Sequence, residues 1–177
     1  MPTVGRPEVG EYAPYFERYV ALVTGEDPVA ALEEQATTVD RLLHGLSEAG
    51  AGFRYAAGKW SVREVVGHCA DAERVFAYRA LSFARGERVA LPPFDENEFA
   101  RLAGHDGVAL AELRDEFAAV RAATLHLLRH LPGDAWRRRG VASGKDISVR
   151  AIAFVMAGHV AHHVALLSEK YGVPPLG

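Results

Sequence analysis

The stretch Gly158-His159-Val160-Ala161-His162-His163 sets two imidazoles, His159 and His163, four residues apart. On a helix they stand about 40° apart around the axis and about 6 Å apart along it. Two imidazoles so placed can meet one divalent metal ion. Their surroundings sharpen this reading. With Ile152 as origin and about 100° per residue, Met156 falls at about 40°, His159 at about 340° and His163 at about 20°. Leu166 and Leu167 flank them, so the pair lies within an apolar stripe. A polar group buried without a partner costs about 1–3 kcal/mol. A shared metal removes that cost, and so would hydrogen bonds inside a core.

Spacing alone is weak evidence, as His126 and His130 show. They too are four apart, but they fall opposite the stripe of Leu110, Leu113, Phe117 and Leu128, and read as a solvated face. A third ligand has to come from another helix, and His68 is the candidate, beside Ala72 and Val75. Glu64 and Asp71 lie about one turn from His68 on either side and are candidates to orient its second ring nitrogen. Cys69 points about 100° away from His68 and reads as a small buried residue. His162 falls at the stripe edge, as a pocket-lining residue, an interhelical hydrogen-bonding residue or a further ligand. His44 and His105 carry no signal. Asp71 and Glu73 are candidate bases, with pairing to Arg74 or Arg79 as the competing role.

The elements that must position these residues are helical nearly throughout. Helical spacing predicts a first helix over Glu11–Val23. Asp27-Pro28, an N-cap followed by proline, starts a second that runs to about Glu48. Ser61-Val62-Arg63-Glu64 is a capping box, with Trp60 and Val65 placed as a hydrophobic staple. The helix it opens runs to about Ala84. Pro92-Pro93 bar a helix locally, and Asp95–Ala103 reads as a short helical insert. A third long helix covers Val108–Leu131. The last covers Val149–Tyr171, capped by Ser148 and closed by Gly172 with Pro174 beyond. No segment alternates with period two, so no sheet is expected. The expected fold is all-α: a four-helix bundle with a short extra helix, and a crossover over the 132–148 gap. One domain is expected over residues 1–177, with its core at about 11–172.

Composition narrows the function classes. Of 177 residues, 49% are hydrophobic and 24% charged, the balance of a soluble globular domain. Twenty Lys and Arg against 23 Asp and Glu give a net charge of −3, which argues against nucleic acid as a partner. The single cysteine excludes an internal disulfide and any multi-cysteine metal site within one chain. Met1–Gly10 lacks a signal-peptide apolar core, and no apolar run approaches the length of a membrane span. A cytoplasmic protein with no membrane partner is expected.

The same residues carry a family resemblance. Gly58-Lys59-Trp60-Ser61 leads into Val65-Val66-Gly67-His68. Asp71–Arg79, Phe94-Asp95-Glu96-Asn97, Gly158–His163 and Glu169-Lys170-Tyr171-Gly172 follow. As a set they resemble the DinB-like superfamily of metal-binding four-helix proteins, which includes the YfiT-like metal-dependent hydrolases. The resemblance runs from about Glu11 to Gly172. It implies a divalent metal, nickel or zinc, on three histidines that map onto His68, His159 and His163. It also implies a homodimer, a small-molecule substrate and, as in some relatives, a low-molecular-weight thiol as co-reactant.

Three neutral imidazoles would leave a divalent ion with an open position that can activate water or a thiol. The first makes a hydrolase, the second a transferase. The resemblance favours the transferase, with the hydrolase and a non-catalytic metal-binding bundle as alternatives. Asp95, Glu96 and Asn97 are placed to close over a pocket, or to form a capping turn. Arg137-Arg138-Arg139 reads as a solvated charge run, with attraction of an anionic substrate or thiol as the alternative.

Overall fold

A computed structural model describes residues 4–173. Pro174 and the ends of the expected 1–177 domain lie outside the described residues. Seven helices are present among those described: α1 (Glu17–Val20), α2 (Pro28–His44), α3 (Glu48–Ala51), α4 (Val62–Ala84), α5 (Glu96–Ala103), α6 (Leu110–Arg129) and α7 (Val149–Tyr171). The four long ones, α2, α4, α6 and α7, form the bundle. Helix α2 packs against α6 and α7, and α4 packs against the same two. The order around the bundle is therefore α2, α6, α4, α7. Two connections, α2 to α4 and α6 to α7, cross a diagonal. The second is the crossover expected over the 132–148 gap, while the first was not foreseen.

The long helices start where their caps are written. Ser61 Oγ accepts from the Glu64 amide at 3.1 Å, and the Glu64 carboxylate accepts from the Ser61 amide at 2.8 Å. This capping box sets the start of α4, and with it the phase of His68 two turns on. Asp27, Asp95 and Ser148 cap α2, α5 and α7 with their side chains. Gly172, at φ 68°, ends α7 in the left-handed conformation that glycine favours.

Three expectations need correction. The first helix does not start at Glu11. Ala13 precedes Pro14 and is extended at ψ 145°, as a residue before proline prefers, and only a 3-10 turn and the four-residue α1 follow. The Glu11 carboxylate instead accepts from Ser148 Oγ at 2.6 Å and Arg150 Nε at 2.7 Å, tying the N-terminal segment to the start of α7. Helix α2 stops at His44 because Gly45 ends it and Ser47 caps a fresh turn, α3. The 132–148 segment contains a small antiparallel hairpin, β1 (Arg139–Ala142) and β2 (Lys145–Ser148), in register Arg139 to Ser148. Its turn, Ser143-Gly144, has positive φ at both residues, the hairpin geometry that matches strand twist.

Helix α7 is the central element. Every residue from Val149 to Val160 is buried, Arg150 and His159 included. By length and composition it is apolar enough to cross a bilayer, contrary to the reading of the sequence, yet 67% of its most apolar window is buried within the bundle. A core helix of a helical bundle is placed in this way. Gly158 lets α1 lie directly on it: a Cβ there would come within 1.9 Å of the Tyr19 carbonyl oxygen. Gly158→Ala should therefore lift α1 off α7 and destabilise the protein by about 1–3 kcal/mol, measured by thermal melting.

Candidate metal centre

The three histidines chosen from the sequence converge. His68 comes from α4, and His159 and His163 from adjacent turns of α7. His68 Nε2 lies 3.0 Å from His159 Nε2, and His163 Nε2 lies 3.2 Å from the same atom. One ligating nitrogen from each ring falls within 4.8 Å of the other two. All three residues are buried, with exposures of 4%, 6% and 8%. They stand where the two apolar clusters of the bundle meet, between Ala72 and Met156 on one side and Val66 and Val160 on the other.

This geometry fits a metal better than a hydrogen-bonded core. His159 Nε2 has one in-plane position, holding either a proton or a lone pair, yet it faces two neighbouring nitrogens. It can satisfy one of them. Nitrogens bound at about 2.0–2.1 Å to one ion are separated by roughly 3.0–3.4 Å from simple octahedral or tetrahedral geometry, which matches the two contacts seen. Aromatic rings hold the imidazoles in place. The Trp60 centroid is 4.7 Å from that of His68, and Tyr19 and Phe76 meet His159 edge-on at 5.5 and 5.8 Å. Nδ1 of His163 is buried with no hydrogen-bond partner among the described residues, so no hydrogen bond at that nitrogen orients the ring.

Burial also keeps the rings neutral, as ligation requires. Desolvation, followed by repulsion from His105, pushes His68 down to about 4. Desolvation, with repulsion from His68 and His162, pushes His163 down to about 3, and His159 falls well below the usual value for the same reason. An unfolded imidazole titrates at about 6.5. Between that value and the folded ones, the unfolded chain takes up protons that the fold refuses. Stability of the metal-free protein is thus fully present above about pH 6.5 and falls as pH drops toward 4, by up to about 1.4 kcal/mol per pH unit for each ring. Urea unfolding of chelator-treated protein across this range should show that slope, and His163→Gln should make it shallower.

The other candidates are placed as follows. His162 is exposed on the cavity wall, with its ring 5.2 Å from that of His163 and 5.7 Å from that of Tyr19. Glu64 is committed to the capping box and to Arg54. Asp71 pairs with Arg74 at 3.2 Å and approaches His105 Nε2 at 4.0 Å. Neither carboxylate is turned to His68. Glu73 is not at the site: it is 1% exposed and forms an ion pair with Arg121 of α6 at 2.7 Å, rather than with Arg74 or Arg79. Cys69 is buried among apolar side chains, which push its thiol up to about 12. His126 of α6 and His130, which follows that helix as its C-cap, are exposed. His105, which carries no sequence signal, is buried against Gly67, where a Cβ would overlap its ring. Arg138 and Arg139 of the basic run pair with Asp134 and Asp146.

The triad opens onto a cavity of about 600 Å³. Tyr19, Trp60, Phe76 and Phe94 give it apolar walls, and Glu96 and Asn97 of the short insert reach it, while Asp95 serves as the α5 cap. The hairpin adds Ala142, Ser143 and Lys145, and α4 adds Arg79. Sequence reasoning did not place Tyr19, Arg79, Ser143 or Lys145 here. The Ser143-Gly144 turn was the one available signal for the hairpin.

The family profile of the DinB superfamily matches residues 31–167. The chain belongs to the DinB superfamily. Among solved structures, it is similar to YfiT from Bacillus subtilis, described as a probable metal-dependent hydrolase with an unusual four-helix bundle topology. The match has a TM-score of 0.72 at 20% identity and covers 94% of this chain and 95% of that one. It is also similar to a mycothiol-dependent maleylpyruvate isomerase, with a TM-score of 0.65 at 18% identity, covering 77% of this chain and 58% of that one. A point variant of that isomerase matches with a TM-score of 0.66 at 17% identity, over 83% and 60% of the two chains. At these identities the likeness shows a shared fold. No protein of curated function matches the chain.

Proposed function

We propose that this DinB-superfamily protein is a metal-dependent enzyme in which His68, His159 and His163 hold a divalent ion, nickel or zinc, and a low-molecular-weight thiol is the co-reactant in group transfer to a small molecule. The observation that carries the reading is the convergence of three buried Nε2 atoms beside a cavity. A divalent ion there would favour the ionised form of a thiol or water that reaches it.

The choice between thiol and water rests on what the chain itself supplies. Water activation in a hydrolase needs a base to move protons, and Glu96 is the one carboxylate among the described residues that line the cavity. The carboxylates nearest the triad in sequence, Glu64, Asp71 and Glu73, all have cationic partners elsewhere. A thiol, with a reference pKa of about 8.5, needs far less help to ionise than water does. Cys69 is buried and hard to ionise, so the thiol has to come from outside. His68, His159 and His163 would orient the ion, while Trp60, Tyr19 and Phe76 exclude water from it. The mycothiol dependence of one structural relative supports this reading. The hydrolase reading is supported by the near-complete overlap with YfiT, and in it Glu96 would be the base.

Calorimetry with N-acetylcysteine and its S-methyl counterpart tests the thiol. Metal-loaded protein should bind the free thiol at least about tenfold more tightly, a difference of about 1.4 kcal/mol, and His163→Ala should abolish the preference. Equal binding of the two compounds, together with thiol-independent ester hydrolysis that is lost in Glu96→Gln, would favour the hydrolase.

A further inference from the structure

Arg79 is 7% exposed and lines the same cavity as the triad. Its Nη2 donates to the Pro92 carbonyl and to Ser143 Oγ, both at 3.0 Å. Among the described residues no carboxylate pairs with it. Burial alone acts on its charge and lowers its pKa, with no acid opposing the shift. A buried cation without a counter-ion is costly, and the fold does have a better solution available: Arg121, also buried, is given Glu73. Arg79 is left with its charge unmatched and with Nε and Nη1 not engaged in protein hydrogen bonds.

The position is not isolated. Lys145 of β2 and Arg18 of α1 line the same cavity, and neither has an ion-pair partner among the described residues. Arg18 is stacked over the Tyr15 ring at 3.7 Å. Against these three cations the cavity wall has one acid, Glu96. On α4, His68 and Arg79 are eleven residues apart, which returns them to nearly the same face at a separation of roughly 16 Å along the axis. Ala72 and Phe76 lie between them and also line the cavity, with Phe94 beyond. One helix face thus presents imidazole, then an apolar floor, then an unmatched guanidinium.

From this order we infer that the substrate is an elongated small organic anion. Its carboxylate or phosphate is bound by Arg79 with help from Lys145, its apolar body lies on Ala72 and Phe76, and its reacting end reaches the histidines. Guanidinium is suited to either oxyanion, through paired N–H donors. The inference takes the triad as the reacting end from the function proposed above, but anion capture by Arg79 does not need the metal.

The test uses 4-phenylbutyrate against its neutral amide, with phenethyl phosphate as the second oxyanion, by calorimetry on metal-loaded and on chelator-treated protein. The acid should bind at least about tenfold more tightly than the amide in both forms, as one charge-assisted hydrogen-bonded contact warrants. Arg79→Gln should remove the preference and Arg79→Lys should retain part of it. Lys145 is exposed, so Lys145→Gln should fold normally and still weaken acid binding several-fold without affecting the amide, which keeps the test decisive if Arg79→Gln fails to fold. Whichever oxyanion binds more tightly identifies the head group. Equal binding of acid and amide, no binding of either anion, or a preference unchanged in the folded Arg79→Gln and Lys145→Gln variants would overturn the inference. A preference that appears only with metal and survives both variants would also overturn it, placing the anion on the ion and leaving the metal reading intact.

Discussion

His159→Ala is expected to leave the protein without metal after purification, while wild-type protein prepared without an affinity tag retains it near stoichiometrically. His159 is chosen because its Nε2 is the atom both other rings approach, at 3.0 and 3.2 Å. Loss of a group that merely orients a ligand costs about 10–100-fold in metal affinity, so loss of the central ligand should cost roughly a hundredfold or more. Elemental analysis measures this directly. Folding should persist, because Gly158, Tyr19 and the apolar residues around position 159 still pack. The metal-free variant should also lose stability less steeply than metal-free wild type as pH falls, since one fewer buried imidazole has to stay neutral. Full metal retention in His159→Ala would remove the site from these residues.

Arg121→Met is expected to destabilise the fold by about 3–5 kcal/mol, the cost of leaving Glu73 buried without its cation. Arg121 and Glu73 are each 1% exposed, and the guanidinium donates from Nε and Nη2 to the carboxylate and from Nη1 to the Leu32 carbonyl at 2.8 Å. These bonds join α6, α4 and α2 through the centre of the bundle. The double variant Glu73→Leu, Arg121→Met should recover most of the loss, because a matched apolar pair avoids the desolvation of both ions. The Leu32 carbonyl would still lack its donor, so recovery should stop short of complete. Urea unfolding of the two single variants and the double closes the cycle, and an Arg121→Met variant as stable as wild type would show that the fold tolerates Glu73 without its cation.

Much of the bundle was legible because its signals are local. The capping box at Ser61 and Glu64, the aspartates at 27 and 95, and Ser148 with Gly172 mark helix ends within four residues of themselves, and the structure places helix ends there. Helical periodicity brought His159 and His163 to one side of α7 and singled out His68 as a partner. The misreadings have local causes as well. Pro14 and Gly45 interrupt apolar spacing that continues across them, and the breakers prevail over the spacing. The hairpin was missed because each strand is four residues long and shares no face with a larger sheet.

Pairing between distant segments was of another kind. Glu73 and Arg79 look alike in the sequence, two charged residues on one helix, yet the first is matched by Arg121 and the second by no acid among the described residues. Nothing within α4 distinguishes them, because the partner of Glu73 lies 48 residues away. The stripe on α7 was likewise only half of its environment: residues 149–160 are buried all round, so which face a histidine occupies there was decided by the approach of α1, α2 and α4 rather than by amphipathicity. Residue types, caps and periodicity were enough to specify four helices and three imidazoles able to meet, since hydrogen bonding and helical phase act over a few residues. The shared Nε2 vertex, the cavity beside it and the unmatched Arg79 came from the diagonal order of the helices, because burial and charge compensation depend on which surfaces meet and those surfaces are far apart along the chain.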